Sequence, residues 1–285
     1  MRKIAIFLFY SFFLILIGRS LSFIPQIHLE TTPTPKDPEV IRQEIVDFIK
    51  TQDGTYSVFY EDLNTADTFG IHENSILTGA SMNKLPIVGY LYSLASKKEI
   101  DLQETIVIQK EDLQDYGTGS LRYEEPGQSY NLQYLANLTL QKSDNTAAHI
   151  LNIRLGDANV QAYAYQIGMN STSMADNDIS ARDVGKFYEA LYKNKIANAA
   201  FTKEILGYME NTEIEDRLPK YLPKGIHIYH KTGDAVNFVH DGGIIDNGKS
   251  PFILVVMSSN LKDETKAKDV IGKIVKKVYD AHNGK

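Results

Sequence analysis

Cysteine is absent from all 285 residues, which removes disulfides, thiolate catalysis, thiolate zinc sites and any cysteine-borne lipid anchor together. Clustered positive charge is missing as well. The net charge is −6 with no concentrated Lys/Arg block, so nucleic acid is excluded as a partner. No internal repeat or low-complexity array is present, and only one apolar run is long. Ile4 to Ile17, 14 residues behind Arg2-Lys3 and ended before Arg19, falls short of the about 20 apolar residues that a membrane span needs. Its layout is that of an export leader, 1–22, with Ser20-Leu21-Ser22 as a small-x-small cleavage site. The alternative is an uncleaved membrane anchor continuing through Leu21, Phe23 and Ile24. Either way the rest of the chain is expected outside the cytoplasm, periplasmic or extracellular, and a monomer is expected.

What is present has the proportions of an ordinary globular protein: 43% hydrophobic and 23% charged residues. Residues 23–37, with Pro33, Pro35 and Pro38 close by, read as an extended tether. A domain is expected over 38–282. Ile41, Ile45, Phe48 and Ile49 recur at helical spacing; Tyr56 to Leu63 and Asp67 to His72 read as a hairpin. The other end mirrors this with strands at Gly225 to Thr232, Val236 to Ile245 and Phe252 to Met257. A last helix carries Val270, Ile271, Ile274, Val275 and Val278 on one face. The fold class that follows is α+β, an α/β sandwich. A five-stranded, mainly antiparallel sheet is built from both chain ends (38–74 and 218–282) and covered by the terminal helices, and an all-helical part (75–217) is inserted.

Three short segments carry candidate chemistry. Gly79-Ala80-Ser81-Met82-Asn83-Lys84-Leu85-Pro86 opens an apolar helix, and Pro86 fits near a helix start. Ser81 and Lys84, three apart, share a face. A lysine of lowered pKa can take a serine's proton and make it a nucleophile. Ser259-Asn260-Leu261-Lys262 has the same spacing but follows a strand and is read as coincidence. Ser143-Asp144-Asn145 alone is a helix cap. Lys231-Thr232-Gly233 alone is a strand-end cation before a turn. A second amine near Lys84 would lower its pKa. The histidines supply no metal set: His227 and His230 fall on opposite strand faces, His240-Asp241 lacks a partner at ligand spacing, and His149 is placed on a helix behind the site. Tyr116 and Tyr123 are assigned to packing. No metal and no cofactor is expected.

Taken together, Ser81…Lys84, Ser143-Asp144-Asn145 and Lys231-Thr232-Gly233 form the ordered set used by serine β-lactamases and penicillin-binding proteins. From about residue 40 onward the chain resembles class A β-lactamases. Gly119-Ser120-Leu121-Arg122-Tyr123 and Asp216-Arg217-Leu218-Pro219 extend the likeness. The resemblance implies that Ser81 is acylated by a small β-lactam or a D-Ala-D-Ala peptide, with Lys84 as proton acceptor. It implies that Ser143 relays the proton to the leaving nitrogen while Lys231 holds Ser143 and attracts a substrate carboxylate. Asn145, Thr232, Gly233 and Asp234 then contact substrate, and the N–H groups of Ser81 and Asp234 form the oxyanion hole.

Two departures stand out. The glutamate with which class A enzymes activate the deacylating water has no counterpart, since residues 158 to 188 contain none. Asp176 and Asp178 are the nearest substitutes. Asp234, where the family has a small or hydroxylated residue, is expected to oppose a substrate carboxylate and to pair with Lys231. A β-lactamase with slow deacylation, a D-Ala-D-Ala carboxypeptidase or transpeptidase, and a non-catalytic binder of wall fragments are therefore the functions to separate. Turnover and covalent adduct formation distinguish them.

Overall fold

The computed structural model describes residues 36–284. The leader or anchor at 1–22 and nearly all of the 23–37 tether lie outside that range. Helix α1, Pro38–Ile49, starts where the Asp37 carboxylate accepts from Glu39 N at 2.8 Å and Pro38 occupies the first turn, a position where a missing N–H costs nothing. Strands β1 (Thr55–Asp62) and β2 (Thr68–Ile71) form the first hairpin. Strands β7 (His227–Ala235), β8 (Phe238–Asp246) and β9 (Phe252–Ser259) come from the other end. The sheet order is β2-β1-β9-β8-β7, every pairing antiparallel.

Alternation along the central strands divides the interior in two. Tyr56, Val58 and Tyr60 of β1 with Leu254 and Val256 of β9 meet Ile41 and Ile45 of α1. They also meet Ile271, Ile274 and Val275 of the last helix, α8, Glu264–His282. Phe59 of β1 and Ile253 and Val255 of β9 face the opposite way, toward α6 (Ala181–Tyr192), whose Val184, Phe187 and Tyr188 are buried. Each fully buried Ile, Val or Leu contributes about 1.5–3 kcal/mol, so the sheet is anchored on both faces.

The inserted helices are α2 (Lys84–Ser96), α3 (Leu132–Gln141), α4 (Asn145–Leu155), α5 (Asp157–Gln166) and α7 (Ala199–Tyr208). Short two-residue strands β3 (Leu77–Thr78) and β6 (Asp178–Ile179) pair with each other, as do β4 (Thr105–Val107) and β5 (Ser129–Asn131). Helix α2 is apolar on all sides, with Leu85, Val88, Leu91 and Tyr92 buried, and α3, α4, α5 and α6 surround it. A helix so enclosed holds its N-terminus rigidly. Among the described residues no helix is long and apolar enough to cross a membrane.

The strand-end expectation for Lys231 is corrected. β7 runs through Lys231, Thr232 and Gly233 as far as Ala235, and the turn falls at Val236-Asn237. Asn237 takes the left-handed conformation there, φ 65°, which asparagine tolerates. Lys231 is accordingly buried rather than an exposed cation.

Candidate active site

A single turn of 3-10 helix, Ala80–Asn83, feeds directly into α2 and carries Ser81. Ala80 just before the serine has φ 47°, a strained setting for a residue with a Cβ. Strand β7 presses on this turn: a Cβ at Gly233 would lie 3.1 Å from both the Gly79 carbonyl and the Met82 side chain. Glycine is what allows the strand so close. Gly233 therefore serves the approach of β7 to the serine turn.

Asp144 caps α4, accepting from Ala147 N at 3.0 Å through one oxygen and from Ser120 N and Leu121 N at 2.6 and 2.9 Å through the other. The triplet is thus a helix cap after all, and its carboxylate also ties down the preceding loop. Gly117 and Gly119, at φ 73° and 112°, let that loop lie against Asn145 and Asp144, whose side chains any Cβ would strike. Thr118 Oγ1 donates to the Ser143 carbonyl at 2.7 Å. Ser143 itself has φ 53°, which turns its hydroxyl toward the two lysines.

Lys84 Nζ lies 3.0 Å from Ser81 Oγ, 3.2 Å from Ser143 Oγ and 2.6 Å from Asn145 Oδ1, and also reaches the Ser143 carbonyl. Burial, reinforced by the Lys231 ammonium and opposed by Asp144, holds its pKa well below the usual lysine value. On the far side of Ser143, Lys231 Nζ donates to Ser143 Oγ at 2.8 Å and to the Thr232 carbonyl at 2.9 Å. Burial lowers Lys231 to about 7, against the pull of Asp241. Ser81, Lys84, Ser143 and Lys231 thus form one continuous chain of polar contacts.

The chain borders a cleft of about 420 Å³, lined among others by Ser81, Lys84, Ser143, Asn145, Thr232 and Asp234. Tyr116, assigned to packing, lines its mouth, and His149, placed behind the site, faces into it. His149 follows Asn145 by four residues on α4 and so shares its face. Tyr123 stays outside, its ring under the Arg122 guanidinium at 4.6 Å. The expected pair Asp234–Lys231 does not form. Asp234 is held instead by Arg217, whose Nη2 lies 2.9 and 2.8 Å from the two carboxylate oxygens, because Lys231 is turned toward Ser143.

Asp234 is the only carboxylate lining the cleft among the described residues; Asp176 and Asp178 are elsewhere. Asp176 accepts from Ser173 Oγ at 2.7 Å in a surface turn. In place of a glutamate the cleft has Asn83, Asn177 and Met174, with Asn83 Nδ2 donating to Asn177 Oδ1 at 2.5 Å and Asn83 Oδ1 left without a partner. Spacing offers no signal for this pair, 94 residues apart. Arg217 was visible only as part of a segment resembling the family. The second Ser-x-x-Lys, Ser259 to Lys262, ends β9, with Lys262 extended toward Asp53. Among the described residues no group of three or more His, Asp or Glu gathers as a metal site.

A family model described as "Beta-lactamase enzyme family" matches residues 40–282. The chain belongs to that family. Among its curated relatives is β-lactamase BRO-1 of Moraxella catarrhalis, 23% identical over 215 residues, covering 68% of this chain and 69% of the relative. Of solved structures, PBP-A superposes with a TM-score of 0.81 at 24% identity, covering 88% of this chain and 98% of PBP-A. A leucine-to-glutamate variant of PBP-A, solved as its acyl-enzyme complex with penicillin G, gives 0.80 at 23% identity over 87% and 98%. At that identity the likeness speaks for the β-lactamase and penicillin-binding-protein fold.

Proposed function

We propose that this chain is an exported serine enzyme of the class A β-lactamase type, acylated at Ser81 and slow to release the acyl group. The observation that carries the reading is Lys84 Nζ set between Ser81 Oγ and Ser143 Oγ, with Lys231 on the other side of Ser143. The neutral Lys84 amine takes the Ser81 proton as Oγ adds to the lactam carbonyl. When the C–N bond breaks, the Ser143 hydroxyl gives its proton to the leaving nitrogen and recovers one from Lys84. The products are a Ser81 ester and a new N–H. Backbone N–H groups of Ser81 and Asp234 are assigned to the developing oxyanion, and Asn145, Thr232 and Asp234 to substrate contacts. A water must then cleave the ester, and among the described residues no carboxylate other than the Arg217-bound Asp234 lines the cleft to activate it.

That absence favours a second reading, a penicillin-binding D-Ala-D-Ala carboxypeptidase or transpeptidase, and the likeness to PBP-A supports it. A binder of wall fragments has no use for two desolvated amines flanking a serine, and burying them is costly. The deciding experiment is intact-mass analysis after benzylpenicillin treatment of the wild type and Ser81→Ala. A mass increase in the wild type that is absent from the variant is expected. Its absence from the wild type would sink both enzyme readings, and sustained nitrocefin hydrolysis would favour the first over the second. The export assignment rests on the basic-apolar leader; recovery of the protein from the cytosol on fractionation would count against it.

A further inference from the structure

Arg217 lies buried behind the cleft, out of reach of a ligand. Its side chain is fully buried; Nε donates to Asp216 Oδ1 at 2.9 Å and Nη1 to the carbonyls of His240 and Gly233 at 2.9 and 3.4 Å. Nη2 lies 2.9 and 2.8 Å from the two Asp234 oxygens, which share one of its hydrogens. Lys231, the other cation at this end, is 2% exposed and committed to Ser143 Oγ and the Thr232 carbonyl. What the β7 end of the cleft presents to a ligand is the Asp234 carboxylate, its side chain 42% exposed. Its two oxygens share a hydrogen of Arg217 Nη2 and keep lone pairs directed elsewhere.

We propose that Asp234 is a specificity-determining residue: it makes the β7 end of the cleft an acceptor for N–H groups, so that the preferred substrate carries a carboxamide or an ammonium there and a carboxylate is disfavoured. The proposal rests on the acylation of Ser81 proposed above. Two carboxylates brought together in a half-desolvated cleft repel, and the one guanidinium behind Asp234 offsets this only in part. Discrimination then comes from the unfavourable term against the anion as much as from the hydrogen bond to the amide. The aspartate fills the place where an anionic ligand would otherwise meet Arg217.

The test compares second-order acylation rate constants of the full-length protein, read by intact mass, for benzylpenicillin and for its carboxamide, in which the ring carboxylate is replaced. The wild type is expected to take the carboxamide faster, on the order of tenfold. Asp234→Asn, which keeps the shape and removes the charge, is expected to speed acylation by the free acid, slow it with the carboxamide and bring the ratio close to one. Equal rates for the two probes in the wild type overturn the proposal and leave Ser81 acylation standing. So does a uniform loss with both probes in Asp234→Asn, which marks a structural role. If neither probe gives a Ser81-dependent adduct, the proposal falls with the reading beneath it.

Discussion

Lys84 and Lys231 have opposite requirements. Lys84 works as a base only when neutral, and burial makes it neutral early; Lys231 eases negative charge on Ser143 only while cationic, and it titrates at about 7. Acylation is therefore expected to fall as pH rises through about 7. In Lys231→Arg the cation persists, since guanidinium does not titrate in this range, and the alkaline limb should disappear. A limb left unmoved would assign it to another group. Met174 lines the cleft together with Ser81 and Asn177. Met174→Glu is expected to convert a lasting penicilloyl adduct into turnover, by at least about a hundredfold in deacylation; an adduct that decays no faster would argue against a missing base as the cause. The serine, the asparagine and the two lysines were legible because spacing and local context agreed at each. Arg217 and the Asn83–Asn177 contact were not, since each meets its partner only after distant strands or loops close.

Elements carry the site through their ends. The N-termini of α2 and α4 and the middle of β7 converge on Lys84, so loss of any one should displace the others. Asp144, fully buried, satisfies three backbone N–H groups at once. Asp144→Ala is expected to destabilise the domain by roughly 2–4 kcal/mol through orphaned donors and to slow acylation by loosening Ser143. Urea unfolding and adduct kinetics check both, and a stable variant that acylates normally would refute the tie. Element types were readable along the chain, because strand alternation and helical stripes are strong here. Their ends were less so: the 3-10 turn at Ser81 has no periodicity of its own, and β7 outran its alternation because Gly233 packs against the serine turn, where only a small residue fits.

Across the whole molecule, the same strand that carries Lys231 also carries His230, whose Nδ1 lies 2.8 Å from Asp241 of β8 and whose Nε2 lies 3.2 Å from Glu215. Burial works against its charge, but Asp241 and Glu215 prevail and raise it to about 9. A raised pKa means that the folded state holds the proton more tightly, so this contribution is complete below about 6.5 and fades as pH climbs through about 9. The stability difference between wild type and His230→Gln is expected to shrink over that window, by about 3 kcal/mol at most. A difference constant from pH 6 to 10 would mean that His230 stays neutral. The two-ended sheet was predictable from the mirrored hairpin and terminal strands. The strict order β2-β1-β9-β8-β7 was not, because alternation names the faces of a strand but not its neighbours.

β1 is paired along its length with β9, from Thr55 against Ser259 to Asp62 against Phe252. During synthesis, the first hairpin must wait for the last strand before the sheet has a centre. Until then α1 has only a two-stranded ribbon to rest on, and such ribbons are marginal in water. Folding of this domain consequently follows synthesis of β9, with a closure of very long sequence separation. A polypeptide shortened before β9 should remain unfolded throughout, its helical part included.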